Sequence, residues 1–175
     1  CLESMMMKNI EVSMKCRIGL GKEHNYDFFS DFISEVVKSG IKIIYIHARN
    51  AILNGVSPKD NRLIPPLNYN FVTQIKNDYP NTQFILNGGI DSIDKAYKLS
   101  QNFDGIMVGR LIQNNPFLLS KVDNLFYNKD HTNLVNKTIV IEYFEYIKDK
   151  ISNDSIFRLL SPLLSLFFGV ANSKK

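Results

Sequence analysis

Gln83-Phe84-Ile85-Leu86-Asn87-Gly88-Gly89-Ile90-Asp91-Ser92 and, after a stretch of helical character, Asp104-Gly105-Ile106-Met107-Val108-Gly109-Arg110 decide the fold. Each begins as an apolar run too short for a helix and ends in glycine, so the pair predicts strands over 83–86 and 104–108 with tight turns behind them. Between them the spacing predicts a helix over 92–100, with Asp91 as its cap and Asp94 favouring the dipole of its first turn. Working outward, Ile41-Lys42-Ile43-Ile44-Tyr45-Ile46 is β-branched and apolar at nearly every position, which suits a strand buried on both faces of a parallel sheet. Ahead of it, Phe28, Phe29, Phe32, Ile33, Val36 and Val37 recur at helical spacing over 26–39, and Gly40 stops the run. Residues 11–16 alternate like a short strand that closes at Gly19-Leu20-Gly21, and a further helix is expected over 69–78. Four strand–helix units in succession imply a parallel sheet.

Polar and small residues gather behind these strands: Lys15 and Arg17, His47 and Arg49, Asn87 to Gly89, then Gly109 and Arg110. A ligand site is therefore expected at the carboxyl edge of the sheet. Doubly wound sheets and (β/α)8 barrels both place their sites there, and four units are half of such a barrel. From Asn124 onward the pattern is helical, with an amphipathic stretch over 139–151 and aromatics at Tyr143, Phe144, Tyr146, Phe157, Phe167 and Phe168.

Composition narrows the class. The chain has 175 residues, of which 45% are hydrophobic and 22% charged, enough to bury a core and too apolar for wholesale disorder. A formal charge of +4 tolerates a polyanionic partner without requiring one. No apolar run approaches the roughly 20 residues of a membrane helix, and the first residues lack the order of a signal peptide, so a cytoplasmic protein without a membrane partner is expected. Cys1 and Cys16 cannot build a disulfide framework, and no Cys/His spacing suggests a metal. Because Cys1 is not an initiator Met, the chain is expected to be an excerpt of a longer protein.

Two consecutive glycine turns let backbone N–H groups approach a phosphate, with Arg110 adding a bidentate charged contact; the alternative is that the glycines only make tight turns. Two turns with an arginine favour the phosphate. Lys15 sits in an otherwise apolar strand, where a buried ammonium needs a partner, so it is expected to aim at a ligand or to snorkel to the rim. His47 and Arg49 form the same i, i+2 pair on the next strand, and the shared face favours an anionic or electron-rich ligand. Cys16 points the other way and is read as core. The long loop from Ser57 to Leu67 is either a lid or binding segment or merely solvated. Lys148, Lys150 and Arg158 offer an RNA-facing surface or a solvated helix face.

Taken together, Lys15-Cys16-Arg17-Ile18-Gly19, Ile46-His47-Ala48-Arg49, the segment from Ser57 to Leu67, Asn87-Gly88-Gly89-Ile90 and Asp104 to Arg110 resemble the tRNA-dihydrouridine synthases, most closely their bacterial A-type subgroup. The resemblance covers Lys15 to about Phe126 and continues weakly over 161–169. It implies an α/β fold, the C-terminal half of a (β/α)8 TIM barrel over 1–125, followed by the start of a helical tRNA-binding domain over 126–175. It further implies an FMN-dependent oxidoreductase, with NADPH as reductant, that reduces a uridine of the tRNA D-loop, at position 20 or 20a, to 5,6-dihydrouridine.

By the same resemblance Lys15, His47, Asn87, Gly88, Gly89, Gly109 and Arg110 bind the cofactor, Arg49 faces the substrate, and Asn61 and Arg62 touch the RNA. The family's catalytic cysteine, in an Asn-x-x-Cys-Pro context, belongs upstream of this chain. The fragment alone is therefore expected to be inactive, and the full-length protein to be a monomer that binds tRNA and no metal. Alternative readings are an FMN barrel acting on a free pyrimidine and a catalytically dead half-barrel that binds RNA or a phosphate.

Overall fold

The computed structural model describes residues 2–7, 10–23, 25–129 and 136–167; Cys1 and Phe168 lie outside them. A short helix, α1 (Leu2–Met6), precedes strand β1 (Met14–Arg17). Helix α2 (Tyr26–Lys38) starts where Asn25 Oδ1 accepts the Phe28 N–H at 2.8 Å, and it stops at Gly40, whose φ of +92° is a left-handed turn glycine adopts without strain. Strand β2 (Ile43–His47) leads to helix α3 (Tyr69–Asp78), which Asn68 caps through Phe71 N. Strand β3 (Gln83–Asn87), helix α4 (Ile93–Ser100) and strand β4 (Gly105–Met107) complete four β/α repeats. At the start of α4, Ser92 and not Asp91 is the cap: Ser92 Oγ accepts the Lys95 N–H at 3.1 Å, while the Asp91 carboxylate turns to Lys95 Nζ at 3.4 Å.

The four strands are parallel, and their spatial order β1-β2-β3-β4 follows the chain. A doubly wound sheet reverses its strand order at a switch point; this one does not, and so it winds as a (β/α)8 barrel does. The registers Lys15↔Tyr45↔Ile85↔Gly105 and Arg17↔His47↔Asn87↔Met107 put these eight residues on one face. Met14, Cys16, Ile44, Ile46, Phe84, Leu86 and Ile106 take the other. Ile44, Ile46, Phe84 and Leu86 are fully buried there with Phe29, Ile33 and Val36 of α2 and Val72 and Ile75 of α3. Each such side chain contributes about 1.5–3 kcal/mol by leaving water. The expectation that β2 is buried on both faces is corrected, because burial alternates: Ile43 and Tyr45 are only partly covered.

Asp104 adds a polar tie to this core. Its Oδ1 accepts from Lys76 Nζ at 2.6 Å and its Oδ2 from Phe84 N at 2.9 Å, joining α3, β3 and the start of β4.

The chain divides into two compact units, residues 1–90 with 98–108 and residues 91–97 with 109–175. Helix α5 (Arg110–Asn114) and the 3-10 turn Pro116–Lys121 pack with the turn Ser165–Phe167 inside the second unit. That unit continues with α6 (Val122–Tyr127), α7 (Asn136–Ile147) and α8 (Ile156–Leu164). The helix expected over 139–151 ends at 147 and tightens into a 3-10 turn. Tyr143 donates its hydroxyl to Leu159 O at 2.6 Å, tying α7 to α8.

Candidate functional site

The face carrying Lys15, Arg17, Tyr45, His47 and Asn87 is the polar side of the sheet, and its cations cluster at the carboxyl ends of β1 and β2. Alternation explains this: a strand whose other face is Met14, Cys16, Ile44 and Ile46 must turn Lys15, Arg17 and His47 away from the core. Lys15 is exposed on this face, so its ammonium is not stranded in apolar surroundings. Lys15 and Arg17 line a cavity of about 510 Å³ beside β1 whose wall includes Phe28 and Phe32. Cys16 is read correctly as core-facing, and burial pushes its thiol up to about 12, with nearby Lys15 opposing the shift.

His47 is about nine-tenths buried at the end of β2. The following turn is built around it. Gly88 has φ +109°, and a Cβ there would meet His47 Cδ2 at 2.8 Å and Nε2 at 3.0 Å; Gly89 has φ +65°, and its Cβ would meet Leu67 Cδ1 at 2.2 Å. Both glycines are required by backbone conformation and by the side chains beneath them, whatever they bind. Tyr69, at the first position of α3, donates its hydroxyl to Gly88 O at 2.7 Å and fixes the turn. Asn87 Nδ2 donates to Met107 O at 2.7 Å across to β4. Gly109 is different: its φ is −123°, and beyond its chain neighbours no described atom lies within 4 Å of where its Cβ would stand. Its missing side chain leaves open space. Arg110 is exposed at the first position of α5.

The long loop after β2 is strapped down. Arg17 Nη1 donates to Asn50 O and Asn61 O, both at 2.8 Å, and Arg49 Nη1 donates to Leu63 O at 3.1 Å and to Pro65 O. Ala51 pairs through its backbone with Gly19 and Gly21. Burial and then the charges of Arg49 and Arg62 hold the Arg17 guanidinium below its ordinary value, so three like charges share this rim. Arg62 Nε is buried with no acceptor among the described residues. The Asn61 side chain is directed into the loop, where it meets Ile52 and Arg17. Asn50 and Tyr69, which build the site from below, carry no sequence signal for that role.

The C-terminal cations are engaged locally. Arg158 pairs with Asp154, Lys148 lies 3.6 Å from Glu145, and Lys150 sits over the Tyr146 ring at 4.9 Å. Among the described residues no cluster of His, Cys, Asp or Glu could hold a metal ion, and no helix is long and apolar enough to cross a membrane.

Sequential parallel β/α repeats with a cationic strand-end rim define an α/β protein of TIM-barrel type whose polar sheet face suits an anionic ligand. The family model for dihydrouridine synthase (Dus) matches residues 3–172, and the chain belongs to that family. It is 36% identical over 178 residues to the tRNA-dihydrouridine(20/20a) synthase of Escherichia coli K12, covering all of this chain and 52% of that protein. It is 34% identical over 176 residues to the protein of the same name from Shewanella oneidensis, and 43% identical over 119 residues to that of Pseudomonas putida. The chain spans about half the length of the curated relatives it matches over its whole length.

Proposed function

We propose that the intact protein carrying this chain is a tRNA-dihydrouridine synthase that uses FMN and NADPH to reduce a D-loop uridine, at position 20 or 20a, to 5,6-dihydrouridine. The observation that carries the reading is the single polar face of Lys15, Arg17, His47 and Asn87, in a chain whose relatives are named for this activity. The chemistry FMN supplies when bound is hydride transfer to the uracil ring.

The residues present fit that group. An exposed ammonium at Lys15 and the imidazole of His47 on the same face favour an electron-rich ring edge and the negative charge it gains on reduction. Gly109 leaves room for a phosphate oxygen, and the exposed Arg110 beside it offers two parallel N–H donors. Asn87 retains its Oδ1 as an acceptor, and Gly88 and Gly89 keep the turn tight over His47. Arg49 and Arg62 belong to the substrate side, where their charge suits the phosphates of an RNA.

Among the described residues Cys16 does not suit the role of proton donor to uracil C5: its half-buried thiol, whose pKa desolvation pushes up, sits on the opposite face of β1 from Lys15 and Arg17. The donor is a cysteine outside this chain, as the family resemblance implies, and removing a general acid costs about 10²–10⁴-fold in rate. The chain by itself is accordingly inactive. The test is to incubate the intact protein with NADPH and unmodified tRNA and to digest the product to nucleosides. Dihydrouridine at position 20 or 20a is expected. A protein that turns over NADPH yet leaves every uridine intact would overturn the proposal.

A further inference from the structure

Asn61 occupies the 3-10 turn Asp60–Arg62, next to Arg17 at the end of β1. Its side-chain amide makes a two-point clip on the main chain of Ile52: Oδ1 accepts the Ile52 N–H at 3.0 Å and Nδ2 donates to Ile52 O at 2.6 Å. The same Oδ1 lies 3.2 Å from Arg17 Nη1, which also donates to the Asn61 main-chain oxygen at 2.8 Å. An amide oxygen has two lone pairs, and both are engaged here; one of the two Nδ2 hydrogens is engaged as well. Little of the side chain is left for a ligand.

We infer that Asn61 is a positioning residue, not an RNA contact: it locks the loop to Ile52 and holds Arg17 in place, so that Arg17, Arg49 and Arg62 form one fixed cationic cluster for an anionic substrate. This rests on the proposed function for the identity of that substrate. The charges of Arg49 and Arg62 act against that of Arg17, so the three separate unless acceptors hold them, and carbonyl and amide oxygens do so without cancelling charge. The residue type follows from this. A carboxylate at position 61 would still accept from Arg17 and from Ile52 N, but it would bring an oxygen against Ile52 O and would remove one positive charge from the cluster.

The experiment uses the intact protein with Asn61→Ala, Asn61→Asp, Arg17→Ala and the Asn61→Ala/Arg17→Ala double variant. Two readouts are taken: hydrogen exchange at the Ile52 amide, and tRNA binding against salt concentration. The Ile52 amide is expected to exchange at least about 10-fold faster in Asn61→Ala, and to be intermediate in Asn61→Asp, where one oxygen still accepts the Ile52 N–H while the other meets Ile52 O. If Asn61 acts through Arg17, the double variant binds tRNA no more weakly than Arg17→Ala alone. Asn61→Asp lowers the slope of log affinity against log salt by roughly 0.7–0.9, the loss of one charge, which a purely structural defect would not do.

Unchanged Ile52 exchange in Asn61→Ala, or losses of affinity that multiply in the double variant, would overturn the inference. Should Asn61→Ala fail to fold, Asn61→Asp decides it: an unchanged salt slope counts against the cluster. A wild-type protein that binds no tRNA refutes the proposed substrate, and Ile52 exchange then decides the clip on its own.

Discussion

Replacing Gly88 by alanine tests the geometry of the strand-end turn, and its size can be worked from two independent terms. The φ of +109° lies where L-residues are strained, a penalty of about 1–3 kcal/mol. The new methyl would stand 2.8 Å from His47 Cδ2 and 3.0 Å from Nε2, and the imidazole is about nine-tenths buried with little room to retreat. Overpacking of this kind costs about 1–3 kcal/mol more. The sum, about 2–6 kcal/mol, is a large part of a typical domain's stability. Gly55 provides the control: it too has positive φ, at +76°, but a Cβ there meets nothing within 4 Å, so Gly55→Ala shows the conformational term alone.

Urea unfolding of the intact protein, followed by circular dichroism, measures both variants. A double-mutant cycle with His47→Ala isolates the collision, since deleting the ring should return about 1–3 kcal/mol of the Gly88→Ala penalty. Equal penalties at Gly88 and Gly55, or strict additivity with His47→Ala, would refute the packing argument.

Gly109→Ala fills space that no described atom occupies, so flavin affinity should weaken by about 5–150-fold, the equivalent of 1–3 kcal/mol of overpacking against a phosphate, while the unfolding midpoint moves far less than in Gly88→Ala. A fluorescence titration with FMN reads the first effect. For Asp104, burial pushes the carboxyl up, but the Lys76 ammonium and the Phe84 N–H outweigh it and hold the value below 3.8. A depressed folded-state pKa contributes stability above that ordinary value and loses it as pH falls through the folded one. The advantage of wild type over Asp104→Asn is therefore expected at neutral pH and should shrink below about pH 4, checked by urea midpoints across pH. Cys16, with its thiol near 12, should resist iodoacetamide at pH 8 in the native protein and react once unfolded, as peptide mapping would show.

Much of this architecture was legible because local signals agreed. Helix α3 matches its expected bounds, since Asn68 caps it just where the helical spacing begins, and α2 stops at Gly40 for the backbone reason glycine announces. His47 and Asn87 were placed at strand ends by the apolar runs before them. What could not be read depends on distance along the chain. The Arg17 to Asn61 contact joins residues 44 apart, and nothing near either position signals it. For Lys15 the apolar neighbours left two outcomes open, aim at a ligand or snorkelling to the rim, and its exposure is a tertiary fact that the strand's own residues do not hold. Asp91 and Ser92 are both good caps, and only side-chain geometry separates them. The glycines of the β3 turn were rightly singled out, but the His47 ring and the Leu67 side chain beneath them supply a reason that sequence did not hold.

The most direct test of the account is the visible spectrum of the purified intact protein beside that of its Lys15→Ala/Arg110→Ala variant, each checked for folding by circular dichroism. A flavin band that copurifies with the wild type and is lost from the folded double variant is the predicted result. A folded double variant that keeps the band as tightly as wild type would contradict the claim that these strand ends seat the cofactor.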